Sequence, residues 1–210
     1  LTAAGRYTAL MVSAEAGAAY GNAPDKAQRD MLIAWQDAAD FWLPDELTPP
    51  SWADCTSIGQ ALSLWCRQSP RPIVLFIDEI DALRDDTLIT VLRQLRDGYP
   101  YRPNAFPQSL ALIGLRDVRD YKVASGGRDR LGTASPFNVK VDSLSLGNFS
   151  QADVATLYAQ HTPETGQRFE PKAVELAHEL TQGQPWLVNA IARQLTEKIV
   201  PDPNHAITPD

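Results

Sequence analysis

Apolar residues recur at two different spacings along the chain, and these spacings predict its secondary structure. Short apolar or alternating runs are typical of strands, and longer stretches with apolar residues three or four positions apart are typical of helices. The predicted strands cover residues 7–13, 72–77, 109–115 and 137–141, and the predicted helices cover residues 24–43, 57–67, 85–96, 150–161, 171–181 and 185–199. Strands that alternate with helices, followed by helices alone, favour an α/β fold with a parallel sheet and a small helical subdomain.

The strand predicted at 72–77 has the sequence Pro-Ile-Val-Leu-Phe-Ile, a continuous apolar run. A run of this kind is typical of a central strand in a parallel sheet whose two faces are both covered. It is much too short to cross a bilayer, so it does not indicate a membrane protein.

A change of composition near residue 150 marks the boundary between the two parts. Ser150-Gln151-Ala152-Asp153 resembles a helix capping box in which Asp takes the place of the usual Glu. We expect an α/β core over residues 1–146 and a helical subdomain over residues 147–200. Residues 201–210 contain three prolines, which favour a linker or a cut end.

Composition and charge narrow the class of protein further. The 210 residues are 44% hydrophobic and 21% charged, within the range of globular proteins. The net charge of -7 disfavours nucleic-acid binding by this segment, because phosphate neutralisation needs clustered Lys and Arg. Cys55 and Cys66 are too few for a disulfide framework and are expected to be free thiols of a cytoplasmic protein.

Acidic residues follow the central apolar run directly and are the strongest candidate for chemistry. Asp78 and Glu79 come at the carboxyl end of the predicted strand, where ligands bind in open α/β sheets. This is the pattern of a Walker B motif, in which Asp78 would hold Mg²⁺ through water and Glu79 would orient or deprotonate the attacking water. The structural alternative is a strand that ends in solvated acids capping the next helix. Asp81 is better explained as a charge at a helix start.

A basic residue follows the next predicted strand. Arg116 would lie beside Asp78 if the two strands are neighbours in parallel order, and its guanidinium group suits phosphate oxygens. The alternative is an ion pair between Arg116 and Asp117 or Asp120. Arg119, Arg128 and Arg130 follow in a glycine-containing segment, either as a solvated loop or with one of them acting on a neighbouring subunit.

The third element is Gly183-Gln184-Pro185, which opens the last predicted helix, although proline at a helix start is structurally ordinary. In this order the three elements resemble P-loop ATPases of the AAA-like and STAND kind, related to prokaryotic replication initiators. The resemblance runs from Tyr7 to about Val200. The segments that resemble the family best are VLFIDEIDAL, GLRDVRD, SPFNVKV and GQPWLVNAIA.

The resemblance implies a three-layer α/β/α ATPase core with a helical lid. It implies ATP and Mg²⁺ as the cofactors of the intact parent protein, with Gly183, Gln184 and Pro185 near the adenine and Arg116 as a sensor of the γ-phosphate. It also implies a molecular switch with protein partners rather than a metabolic enzyme, and it leaves oligomerisation open.

The chain departs from this family at one point. A Walker A loop needs Gly-x-x-x-x-Gly-Lys-Ser/Thr, and none of the twelve glycines is followed by Lys. Because the chain also begins without Met, we expect a fragment that binds ATP poorly by itself. Two alternatives stay open: a nucleotide-independent scaffold, with a partner surface among the tryptophans of residues 14–69, and a DNA-loading initiator-type ATPase.

Overall fold

The computed structural model describes residues 1–115 and 144–209. The chain divides into two compact units, Leu1–Ser143 and Leu144–Asp210. In its described residues the first unit is mixed α/β with a parallel sheet, and the second is helical. The two units are taken in turn below.

Within residues 1–115, the sheet of the first unit has three parallel strands in the order β1, β2, β3. Strand β1 is Thr8–Ser13, β2 is Ile73–Asp78 and β3 is Ser109–Leu112. Ser13 aligns with Asp78 across the first pair of strands, so these two strands end side by side. The predicted parallel sheet is confirmed, and the strand expected at 137–141 lies outside the described residues.

Three helices connect these strands: α1 is Pro24–Trp42, α2 is Ile58–Gln68 and α3 is Asp85–Gly98. Proline stands at the first position of α1, and the Ser57 hydroxyl caps α2 by accepting from the Gln60 amide at 3.2 Å. Parallel crossovers are almost always right-handed, so consecutive strand order places these helices on one face of the sheet. The contacts of α3 with both α1 and α2 agree with that placement.

The main hydrophobic core lies between this helical layer and one face of the sheet. Alternate strand residues point into it, as the period of two requires. Trp35, Trp52 and Trp65 are buried in this core, whereas Trp42 is exposed. The large side chains of this hydrophobic core include Leu10, Met31, Trp35, Ile58, Leu62, Trp65, Ile73, Leu75, Ile77, Leu92 and Phe106.

The opposite face of the sheet is less buried than the face that packs on the helices. Met11 is exposed on this face, and Val74 and Phe76 are only half-buried. Within residues 1–115, the side chains of β2 are therefore fully buried on one face and half-buried on the other, and the third layer of the expected core stays a prediction. The physical reason for this difference in burial is the strand order, because helices reach the second face only where the order of strands reverses.

The cysteines are both free, as expected. Burial raises the pKa of the Cys66 thiol to about 12, and burial together with the nearby Asp54 carboxylate raises the pKa of Cys55. Neither thiol is therefore activated as a nucleophile, since the thiolate is the reactive form.

The second unit packs four helices around a small core of its own. They are α4 (Gln151–Ala159), α5 (His161–Thr165), α6 (Pro171–Thr181) and α7 (Pro185–Gln194). A π-helical turn at Leu195–Ile199 follows α7. The core residues are Val154, Tyr158, Val174, Ala177 and Val188.

The capping box predicted before α4 is confirmed. The Ser150 hydroxyl accepts from the Asp153 amide at 3.2 Å, and the Asp153 carboxylate accepts from the Ser150 amide at 2.9 Å. The Ser150 hydroxyl also donates to the Asp153 carboxylate at 2.6 Å, and this bond, together with that from the Ser150 amide, lowers the pKa of Asp153. Their contribution to stability is present above the ordinary pKa of Asp and is lost as the pH falls through the lowered pKa.

The end of the chain packs against the second unit. The buried Gln167 amide nitrogen donates to the carbonyl oxygens of Val200 at 2.9 Å and His205 at 3.0 Å. Ile207 is fully buried, and its amide donates to the Arg168 carbonyl at 2.8 Å. Residues 201–209 therefore pack against this unit through one apolar side chain and a buried amide, and the prediction of a linker or a cut end is not tested by these contacts.

No helix in the described parts of the chain is both long enough and apolar enough to span a bilayer. The longest of them, α1, carries six charged residues among its 19.

Candidate functional site

The acidic pair predicted from the sequence stands at the carboxyl end of the middle strand. Asp78 is the last residue of β2 and is half-buried, and Glu79 follows it with an exposed side chain. The Glu79 backbone is left-handed, with φ of 55° and ψ of 35°, a conformation that is strained for a residue other than glycine. The Asp78 carboxylate accepts a hydrogen bond from the Glu79 amide at 2.9 Å and supports this sharp turn.

A third residue joins the pair from the neighbouring strand. The Ser13 hydroxyl donates to Oε2 of Glu79 at 2.6 Å and accepts from the Glu15 amide at 2.9 Å. Sequence reasoning missed Ser13, although the predicted parallel pairing of two strands with polar last residues was a signal that could have found it. The hydrogen bond fixes one oxygen of the Glu79 carboxylate at the edge of the sheet.

The position of Ser13 is itself held by the core. The indole Nε1 of Trp35 in α1 donates to the Ser13 carbonyl oxygen at 2.7 Å. Because the Trp35 ring is 1% exposed, this bond ties the end of β1 to the buried face of the helix.

The third strand also ends beside the acids, as expected. The Ile80 amide donates to the Ile113 carbonyl at 3.0 Å, and the Ile113 amide donates to the Ile77 carbonyl at 2.8 Å. A Cβ at Gly114 would lie 2.7 Å from a carboxylate oxygen of Asp81, so a side chain there would displace Asp81. Arg116 lies outside the described residues, as do Arg119, Arg128 and Arg130, and the predicted roles of these arginines stay predictions.

The donors at this edge suit a hard cation that is shared with a phosphate ligand. In the described residues, no three His, Cys, Asp or Glu side chains converge as a dedicated metal site would require. Mg²⁺ in nucleotide-binding proteins is held by one or two carboxylates, waters and the substrate phosphates. One half-buried aspartate beside one exposed glutamate could therefore supply one or two of the oxygen ligands of such a cation.

The tripeptide Gly183-Gln184-Pro185 opens α7 in the second unit, as predicted. Gly183 is buried with φ of 71°, and its carbonyl accepts from the Phe149 amide at 2.8 Å. Gln184 caps the helix by accepting from the Leu187 amide at 2.7 Å, and Pro185 takes the first helical position. Each residue thus has a structural task inside its own unit, and the predicted adenine contact stays a prediction.

Replacing Gly183 by alanine should destabilise the second unit. A Cβ there would lie 1.9 Å from the Phe149 carbonyl oxygen, on a backbone with positive φ. We expect a loss of about 1–3 kcal/mol from backbone strain, measured by urea denaturation and far-UV circular dichroism. Gly147→Ala is the matched control, because its Cβ meets nothing within 4 Å. Equal stability of the two variants would contradict the structural role of Gly183.

Searches against protein families, curated proteins and solved structures find no match to this chain.

Proposed function

We propose that this chain is part of the core of an ATP-dependent molecular switch of the AAA-like or STAND kind. The observation that carries the proposal is the acidic pair Asp78 and Glu79 at the carboxyl end of the middle strand of a parallel sheet. The end of β1 supplies Ser13 to this pair, and Gly114, two residues after β3, lies against Asp81 in the turn that follows the pair. Ligands of open α/β sheets bind at this edge.

Two of these side chains have distinct tasks in the proposal. Asp78 is half-buried and held by the Glu79 amide, so it presents a fixed oxygen to a water ligand of Mg²⁺. Glu79 is exposed and fixed through one oxygen by Ser13, so its other oxygen is free to orient a water molecule or take its proton. When bound, Mg²⁺ neutralises charge on the phosphates.

The helical unit supplies the lid of the switch. Gly183-Gln184-Pro185 would lie near the adenine, and Arg116 would contact the γ-phosphate. Binding and hydrolysis would then bias the arrangement of the two units, as nucleotide switches do when the γ-phosphate is lost. The grip on the phosphates must come from residues outside these 210, since no glycine here is followed by lysine.

The test is nucleotide binding by the full gene product that contains this chain. Asp78→Asn should abolish the Mg²⁺-dependent part of ATP binding, because the amide removes the charge but retains an oxygen that can accept from the Glu79 amide. Binding is measured with a fluorescent ATP analogue, with and without Mg²⁺. Asp86→Asn, an exposed acid in the first turn of α3, is the control and should bind as the wild type does. Binding by Asp78→Asn that equals the wild type would sink the proposed role.

A nucleotide-independent scaffold is the second candidate, favoured by the lack of a Gly-Lys pair anywhere in the chain. It predicts that the full gene product binds its partners equally well with and without ATP. Failure of the full gene product to bind ATP at all would favour the scaffold over the switch.

A further inference from the structure

The carboxyl-terminal end of α1 presents an unusual pair of exposed aromatic rings. Phe41 is 76% exposed and Trp42 is 71% exposed, with ring centroids 4.7 Å apart and the rings nearly perpendicular. Ile33 is 55% exposed two turns earlier, so Ile33, Asp37 and Phe41 form a row along the helix at a spacing of four residues. Large aromatic side chains exposed together are typical of protein interaction sites.

Most of the charged residues close to these rings in the sequence are acidic. Between residues 30 and 66 the chain has no Lys or Arg. The acidic residues of this stretch are Asp30, Asp37, Asp40, Asp45, Glu46 and Asp54. Asp37 and Asp40 precede the aromatic pair on α1, and Asp45 and Glu46 follow it, and all four are exposed. The apolar rings are therefore flanked along the chain by acidic residues, and one basic residue, Arg29, lines the adjoining cavity.

A cavity of about 270 Å³ continues this surface toward the loop that precedes α2. It shares Ile33 and Asp37 with the row on α1, and its apolar lining also includes Leu32, Trp52 and Cys55. Pockets for drug-sized ligands have volumes of roughly 300–1,000 Å³, so this cavity suits one inserted side chain better than a free small molecule.

We propose that this surface docks a basic amphipathic helix of a protein partner. The surface consists of the adjoining cavity and the residues Ile33, Asp37, Asp40, Phe41 and Trp42. Apolar side chains of that helix would cover Phe41 and Trp42 and fill the cavity, and its Lys or Arg residues would face the acidic rim. The same charge disfavours nucleic acid, an anionic membrane and a second copy of this acidic chain. This inference does not depend on ATP binding.

The probe is a synthetic helical peptide of about 18 residues built from Leu and Lys in an amphipathic pattern. Its fluorescence anisotropy is measured against the chain, together with that of a matched peptide in which Ser replaces Leu. We expect the double variant Phe41→Ala/Trp42→Ala to bind the Leu–Lys peptide at least about tenfold more weakly than the wild type. Asp37→Asn/Asp40→Asn should also bind more weakly and with a smaller dependence on salt.

Trp186→Ala is the control variant, because Trp186 is also 71% exposed but belongs to the second unit. It should bind the peptide as the wild type does, and circular dichroism checks that every variant is folded. The proposal is overturned if the double variant retains wild-type affinity, if the Ser–Lys peptide binds as tightly as the Leu–Lys peptide, or if the wild type binds neither.

Discussion

Replacing Glu79 by glutamine should lower ATP turnover by the full gene product by about 10²–10⁴-fold, the usual contribution of a positioned general base. The glutamine side chain keeps the shape of glutamate and an oxygen that can accept from the Ser13 hydroxyl, but it cannot take a proton from water. ATP binding should stay within a few-fold of the wild type, since Asp78 and its hydrogen bond to the Glu79 amide are untouched.

The measurement is steady-state phosphate release together with nucleotide binding. Glu175→Gln, an exposed glutamate on α6 of the second unit, is the matched control and should hydrolyse ATP at the wild-type rate. If Glu79→Gln turns over ATP as fast as this control, Glu79 is not the base. The binding defect expected for Asp78→Asn separates the two acids, because one would lose binding and the other only turnover.

Replacing Trp35 by alanine should destabilise the first unit by about 3–5 kcal/mol, the usual range for removal of a buried tryptophan. The ring is 1% exposed within the core, and its Nε1 donates to the Ser13 carbonyl. Alanine would remove both the packing and the hydrogen bond. Trp35→Phe should lose less, since much of the ring volume remains.

Urea denaturation, monitored by far-UV circular dichroism, measures this loss of unfolding free energy without relying on tryptophan fluorescence. Trp42→Ala is the matched control on the same helix, and its exposure of 71% predicts a change within about 0.5 kcal/mol. Equal stability of Trp35→Ala and Trp42→Ala would show that the buried ring does not hold the core together.

The elements that follow from local pattern were predictable from the sequence. The apolar run before Asp78 forms the middle strand, and the capping box at Ser150 and Asp153 has both of its hydrogen bonds. Such features depend on residues a few positions apart, so one sequence contains the information needed to find them.

Features that depend on distant residues were not predictable in the same way. The hydrogen bond from Ser13 to Glu79 joins positions 66 residues apart, and the burial of Ile207 depends on contacts with residues near Arg168. The difference in burial between the two faces of β2 was not predicted, because an apolar run does not show which face the helices cover. The burial of each face depends on the side of the sheet on which the crossover helices pack, and the sequence of one strand does not contain this information.

The position of Trp35 has a consequence for how the first unit could transmit a signal. The same helix presents Phe41 and Trp42 to solvent, and only two hydrogen bonds separate it from the acidic pair, from Trp35 to Ser13 and from Ser13 to Glu79. A displacement of α1 large enough to move the indole would strain or break the first of these bonds and shift the serine. The aromatic surface and the acidic pair would then be linked thermodynamically. Binding of a ligand at either one would change the binding affinity of the other by the same factor.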